Sequence, residues 1–524
     1  MRASAVVACL LALSACGRSG PRTGPSDLAG GGGPDGAAPV PDAAPDLATA
    51  RDARAEIPAA DVGHRDAIPT LEDATLAGPC GVPGAKCPVY VGSTVWKMLS
   101  SSYWVAGAMG PDGSIYIGGT VESTFDFDPT AGVDVEGTDG QPSGFLMKLG
   151  PTGAYRSTFT IAGDSFGPPQ IGAPAVTATA SFVPGSFDGP VDLDPGPGVD
   201  MVESMVGRGG TFISKFDAAG GFVWGRVLAS SESGIVYWGQ PVAAPDGGVI
   251  LTGSYTGPGD LAPGPPALPT PNMTGAFVTR LDASGNQLWV RTLGGDGCQG
   301  VSMQAALDGG GVLWLSGTVA AGCAFDQGGP AGPDPEGFFV ASMTLDGKIR
   351  TFGTVTASAS LAGPPLVASD SSIYIAGNIG PSGPDAKGPI DVDPSAGVSN
   401  LTVPDAGVEF VMKLDHDGKL RWLRPIDLEL TVFGAVALAP ADGLVLVSSW
   451  TSGPAGMTIL GLDASGNEVW RLLAGGRDTL PWSVLVNATG FFVLGEQNGS
   501  SDLDPSPGVD TQSGPMVFLS RYTF

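Results

Sequence analysis

The chain has 524 residues and a formal net charge of −27. So large an acid excess repels a phosphate backbone and excludes nucleic acid as an expected partner. Gly (83) and Pro (47) are abundant, and beyond residue 80 no helix-favouring periodic segment appears, so short strands joined by many turns are expected.

Arg2 precedes an apolar run from Ala5 to Leu13, too short to span a bilayer as a mature helix. With the small residues that follow, it reads as a signal peptide over residues 1–15. Leu13-Ser14-Ala15-Cys16 resembles the lipobox of bacterial lipoproteins. That resemblance implies that the Cys16 thiol carries a diacylglycerol and, with its palmitate-type chains, anchors the exported protein to a membrane. Gly17, where an Asp would favour the inner membrane, implies the outer membrane or cell surface. Each buried acyl CH₂ contributes about 0.8 kcal/mol to such anchoring.

Residues 16–79 are Gly, Pro, Ala and Asp with almost no aromatics. They cannot bury enough apolar area to offset their ordering entropy and read as a disordered tether. His64 lies inside it, a poor position for a ligand or base. Cleavage removes Cys9 and lipidation uses Cys16, leaving Cys80, Cys87, Cys298 and Cys323. An even count in an exported chain suggests disulfides, Cys80 with Cys87 and Cys298 with Cys323. Zinc is the rival reading, disfavoured because no CxxC and no nearby His is present.

From residue 80 to 524 one unit recurs. Its signature strand appears as Phe145–Leu149, Phe212–Phe216, Phe277–Leu281, Val340–Leu345, Phe410–Leu414, Met457–Leu462 and Val517–Tyr522. Turns such as Asp282-Ala-Ser-Gly-Asn286 and Asp463-Ala-Ser-Gly-Asn467 lead from it to a strand bearing Trp289 or Trp470; Trp224 and Trp422 follow similar turns. Gly and Asn supply the positive φ of a tight hairpin. His416 sits in one of these turns, where a solvated side chain is expected. Upstream of each signature strand lies a second hairpin, usually with an Asp-Gly turn, as at Pro111-Asp-Gly113 and Pro245-Asp-Gly-Gly248. Each unit is thus four antiparallel strands, with a long loop between the second and third.

The seventh unit ends at Phe524 without its Trp strand, while Val95-Trp-Lys-Met-Leu99 stands ahead of the first unit with the form of Val223-Trp-Gly-Arg-Val-Leu228. The expected fold is therefore all-β: a monomeric seven-bladed propeller of four-stranded antiparallel blades, its ring closed by strands from both termini. The units resemble the SBBP-type propeller repeats of bacterial surface proteins in Asp-Ala-Ser-Gly-Asn…Leu-Trp and Phe-Val-x-Lys-Leu-Asp. That family has no common enzymatic activity, so the resemblance implies a surface scaffold or binding module.

The long loop carries a second motif: Asp126 and Asp128 with Asp134, Asp192 and Asp194 with Asp200, Asp391 and Asp393, and Asp502 and Asp504 with Asp510. Blade three has a reduced form, Asp260-Leu-Ala-Pro263. Alternation in an extended segment puts paired carboxylates on one side of the chain, a donor set open to Ca²⁺. The favoured alternative is a structural turn in which Asp caps backbone and Pro stops pairing. The topology places these loops on one face, around the central channel. It also places Cys298 beside Cys323, where blade four lacks the Asp-Pro motif.

Catalytic signatures are sparse: two histidines, no phosphate loop, and carboxylate pairs that repeat from blade to blade, where a glycosidase pair would be unique. The expectation is a non-enzymatic surface lipoprotein presenting a propeller face to an unidentified protein or glycan. Two alternatives stay open: a periplasm-facing scaffold resembling the propeller lipoprotein of the outer-membrane protein assembly machine, and a quinoprotein-like or polysaccharide-active enzyme.

Overall fold

The computed structural model describes residues 86–524 except for short internal segments, the longest being 261–274, 326–335 and 381–388. The expected signal peptide, Cys16, the expected tether with His64, and Cys80 lie outside the described residues. So do Met98 and Leu99 of the expected closing strand.

Seven antiparallel sheets follow one another along the chain. Blade one is typical: Ala106–Met109, Ile115–Val121, Ser143–Leu149 and Tyr155–Ala162, hydrogen-bonded in that order. Asp-x-x-Gly and Asp-Gly turns join the strands, with φ of +79° at Gly113, +81° at Gly285 and +80° at Gly466. These are values that L side chains rarely adopt.

Blade seven holds Thr479–Asn487, Gly490–Gln497 and Met516–Thr523, and its outer strand is Val89–Lys97 from the other end of the chain. Val95 lies opposite Phe518 and Trp96 opposite Val517. The register corrects one expectation. Trp224 faces Lys215 in blade two, whereas the equivalent basic residue of blade seven, Arg521, faces Gly92. Trp96 therefore stands further along its strand than Trp224 does. Its indole is buried between blades seven and one, and Nε1 donates to the Phe127 carbonyl at 3.0 Å.

Among the described residues the core divides into seven clusters, and each is one interface between adjacent blades. Side-chain alternation explains this: Val249 and Leu251 pack toward blade two, while Ile250 between them packs toward blade four. The seventh cluster joins Phe492 and Leu494 of blade seven to Ile115 and Ile117 of blade one, closing the ring. The Trp strands tie neighbours together. Trp224 Nε1 donates to Ala283 O (3.1 Å) and Trp289 Nε1 to Leu345 O (2.9 Å), each in the turn of the next blade. These tryptophans are the packing residues the repeat implied.

The inner strand is one expected element that the structure divides. In blade two it is split into Gln170–Ile171 and Ala175–Val176, in blade three into Tyr237–Trp238 and Val242–Ala243, and in blade five into Ser358–Leu361 and Leu366–Val367. Pro174, Pro241 and Pro364-Pro365 lie in the gaps. Proline has no N–H for the ladder, so pairing stops and resumes beyond it.

Candidate functional site

The Asp-Pro loops form four short hairpins. Phe125–Asp126 pairs with Val135–Glu136, Val191–Asp192 with Met201–Val202, Pro389–Asp391 with Asn400–Thr402, and Ser500–Asp502 with Thr511–Ser513. Each is built alike. Oδ1 of the first Asp accepts two backbone N–H groups: for Asp502 these are Asp504 N (3.1 Å) and Asp510 N (2.8 Å). Asp126 binds Asp128 N and Asp134 N, Asp192 binds Asp194 N and Asp200 N, and Asp391 binds Asp393 N and Ser399 N. The second Asp caps the residue two positions on, as Asp194 caps Gly196 N (2.8 Å) and Asp504 caps Ser506 N (2.8 Å). Its other oxygen lies against a glycine, where an added Cβ would stand 2.0 Å from Asp194 Oδ2 at Gly198. Glycine is thus required for the close approach of the carboxylate, not for its own φ.

In blades one and seven the third Asp fastens the hairpin to its own blade. The Tyr155 hydroxyl donates to Asp134, and the Tyr90 hydroxyl to Asp510, whose other oxygen accepts from Gln512 Nε2 at 2.6 Å. Burial, and then donation to these carboxylates, hold both phenols well above their ordinary range. Between the paired carboxylates one apolar residue turns inward: Phe127, Leu193, Val392 and Leu503 are buried. The alternation expected from the sequence is therefore present, with the carboxylates on the side away from the core.

The position of these loops differs from expectation. Inner strands from neighbouring blades meet around the axis, whereas the loops engage outer strands. Gly475 N, just past the outer strand of blade six, donates to Asp502 O at 2.6 Å. In blade three, Asp260 pairs with Ser230 of the outer strand of blade two; residues 261–263 of its reduced motif lie outside the described residues. The loops thus sit over the rim and not around the channel. An outer strand ends with unpaired backbone groups, and the incoming loop satisfies them.

Blade four uses a covalent device at the same place. Cys298 and Cys323 form a disulfide with both cysteines buried, and Phe325, two residues on, pairs with Leu293 of the outer strand of blade three. Cys87 is also disulfide-bonded; Cys80, its expected partner, lies outside the described residues.

At the hairpin tips stands a feature the sequence reading passed over. Val133, Val199, Val398 and Val509 are 77%, 75%, 71% and 76% exposed, among the most exposed large apolar side chains described. Each follows Gly and precedes Asp or Ser, so an apolar residue at fixed phase inside a polar turn was the available signal. The four hairpins remain separate, one in each of blades one, two, five and seven, and among the described residues no three His, Cys, Asp or Glu side chains gather as a metal site. Burial pushes the Glu496 carboxyl up to about 7, with no second acid or base contributing to the shift. His416 is exposed in its turn, with only Asp417 as an ionic partner.

No known protein family matches the chain as a whole or in part, and no curated protein matches it. The repeat resemblance therefore rests on the motifs themselves. Solved structures with a similar fold include a protein of unknown function from Dyadobacter fermentans (10% identity, TM-score 0.37, covering 84% of this chain and all of that one). An ulvan lyase of polysaccharide lyase family PL25 is 10% identical (TM-score 0.40, 82% and 98% covered). A DUF4221 protein from Bacteroides vulgatus is also 10% identical (TM-score 0.29, 83% and 97% covered).

Proposed function

We propose that this chain is an exported lipoprotein, anchored through Cys16 and raised on the 16–79 tether, whose propeller displays its hairpin rim to a protein or glycan. The observation that carries this reading is the hairpin itself. Its base is fastened by caps and a buried plug, while its tip presents an apolar valine to water beside carboxylates. A purely structural loop gains nothing from an exposed valine at the same place in four blades. Four such valines, one on each Asp-Pro hairpin, offer a partner repeated apolar contacts beside carboxylates. The Asp side chains act as backbone caps in this reading, and Ca²⁺ is not required for it.

Two measurements test it. Metabolic labelling with a palmitate analogue should mark the wild-type protein and leave Cys16→Ser unlabelled. A photo-crosslinking residue placed at Val509 in intact cells should trap a discrete adduct, whereas the same residue at exposed Val223 on an outer strand should not. Equal labelling of Cys16→Ser would remove the anchor, and adducts at neither position would remove the rim.

A further inference from the structure

At the opposite end of blade five the repeat is broken beside a cavity. In blades two and three the Trp of the outer strand lies with Cδ2 and Cε2 against the next turn glycine, and its Nε1 caps a carbonyl there. In blade five the Tyr374 hydroxyl, whose nearer acceptor is Asp442 O at 2.9 Å, also lies 3.3 Å from the corresponding carbonyl, Ala464 O. Blades two and three have Phe182 and Ile250 at the Tyr374 position, opposite the same basic residue of the third strand, and neither carries a hydroxyl. Trp422 is displaced accordingly. Its far edge, Cη2 and Cζ3, lies against Gly466, and its Nε1–H makes no hydrogen bond among the described residues. That N–H is not sealed from water, so an acceptor entering the cavity can reach it.

Trp422 lines a cavity of about 310 Å³ with Lys413, Arg421, His416, Asp370 and Asp415. The acceptors there are spent. Asp370 Oδ1 accepts from Ser372 N, and Asp415 Oδ1 from Asp417 N and Lys419 N. Their Oδ2 atoms face Lys413 Nζ at 3.6 Å and Arg421 Nη2 at 3.2 Å. The donors are not spent. Among the described residues Arg421 makes that one contact, and its side chain is 61% exposed. The two cations and two carboxylates balance in charge, and the N–H groups left over are those of Arg421 and Trp422, so the complement of the lining is an acceptor.

We infer that this cavity binds a carboxylate-bearing ligand of monosaccharide size, the acid group held by the Arg421 fork and the Trp422 N–H. A planar guanidinium suits a carboxylate bidentately, and the volume is at the small end of ligand sites. The inference stands apart from the hairpin rim, which lies at the other end of the blades, and either can fail alone.

The test is a titration of the purified full chain, followed by NMR or calorimetry, with D-galacturonate, succinate and the neutral methyl galactoside. Saturation on the order of millimolar is expected for an acid, with none for the neutral sugar. Saturation by galacturonate alone identifies a sugar acid, and by succinate alone an aliphatic acid; both support the site. Arg421→Gln should weaken binding about tenfold, and Trp422→Phe, which keeps an aromatic ring against Gly466, about threefold. Unchanged melting temperatures would separate these losses from misfolding. No saturation by either acid, equal binding of the neutral sugar, or affinity unmoved by both substitutions would overturn the inference.

Discussion

Blade seven and blade four solve one mechanical problem with different chemistry. In both, the chain leaving the second strand must be held over the outer strand of the preceding blade. Blade seven does it with Asp502, whose carboxylate gathers two N–H groups, and with the Leu503 plug. Blade four does it with the Cys298–Cys323 bond, joining the segment that enters the blade to the one that leaves its second strand. The difference lies in the anchor. Leu503 in one and Cys323 and Phe325 in the other are buried, and the capped hairpin reaches past its anchor to expose Val509. Capping holds a loop through backbone N–H groups gathered on a carboxylate; the disulfide holds one through a covalent bond between buried cysteines.

Breaking the covalent anchor should have the largest effect. The bridge closes a loop with a sequence separation of 25, so Cys298→Ala with Cys323→Ala should cost about 3 kcal/mol of stability. Denaturant unfolding with and without reductant measures it. Under reductant, which also opens the Cys87 bridge, wild type and double variant should unfold alike, and a difference without reductant much below about 1 kcal/mol would mean that Phe325 pairing alone holds the segment.

Removing the capped anchor should cost less. Asp502→Ala leaves two N–H groups without their acceptor, for a loss of about 2 kcal/mol, since hydrogen bonds to a charged group contribute about 1.5–3 kcal/mol each and water recovers part of it. The same variant sharpens the role of the carboxylates. If they act as caps, chelator and added Ca²⁺ leave the wild-type melting temperature in place. A rise with Ca²⁺ that Asp502→Ala abolishes would identify a cation site instead.

The blade count and the closing strand were legible because hairpin turns and strand alternation are local and repeat seven times. The Cys298–Cys323 pairing was legible because topology brought both ends to one place. The register of Trp96 was not. Val95-Trp96 looks like Val223-Trp224, yet an indole finding the Phe127 carbonyl in the next blade outweighed the likeness. Nor was the rim position of the Asp loops, which depends on the unpaired ends of strands from a different unit. In sequence Trp422 looks like the other outer-strand tryptophans, because the Tyr374 hydroxyl beside Ala464 O is a contact between blades.

The smallest expected effect separates anchor from tip within a single hairpin. Val509 is 76% exposed and Leu503 is fully buried, only six residues apart. Val509→Ser should change stability by no more than about 0.5 kcal/mol, as for an ordinary surface site. Leu503→Ala, which opens a hole between blades six and seven, should lose roughly 2–5 kcal/mol. If the valines served the fold, replacing Val133, Val199, Val398 and Val509 together by Ser would lower the melting temperature cumulatively. If they serve recognition, the fourfold variant melts like wild type and loses the adduct trapped from another rim position, Met201, which is 57% exposed. A protein that is destabilised by the fourfold change and still forms that adduct would assign the valines to folding and leave the rim without its apolar contact.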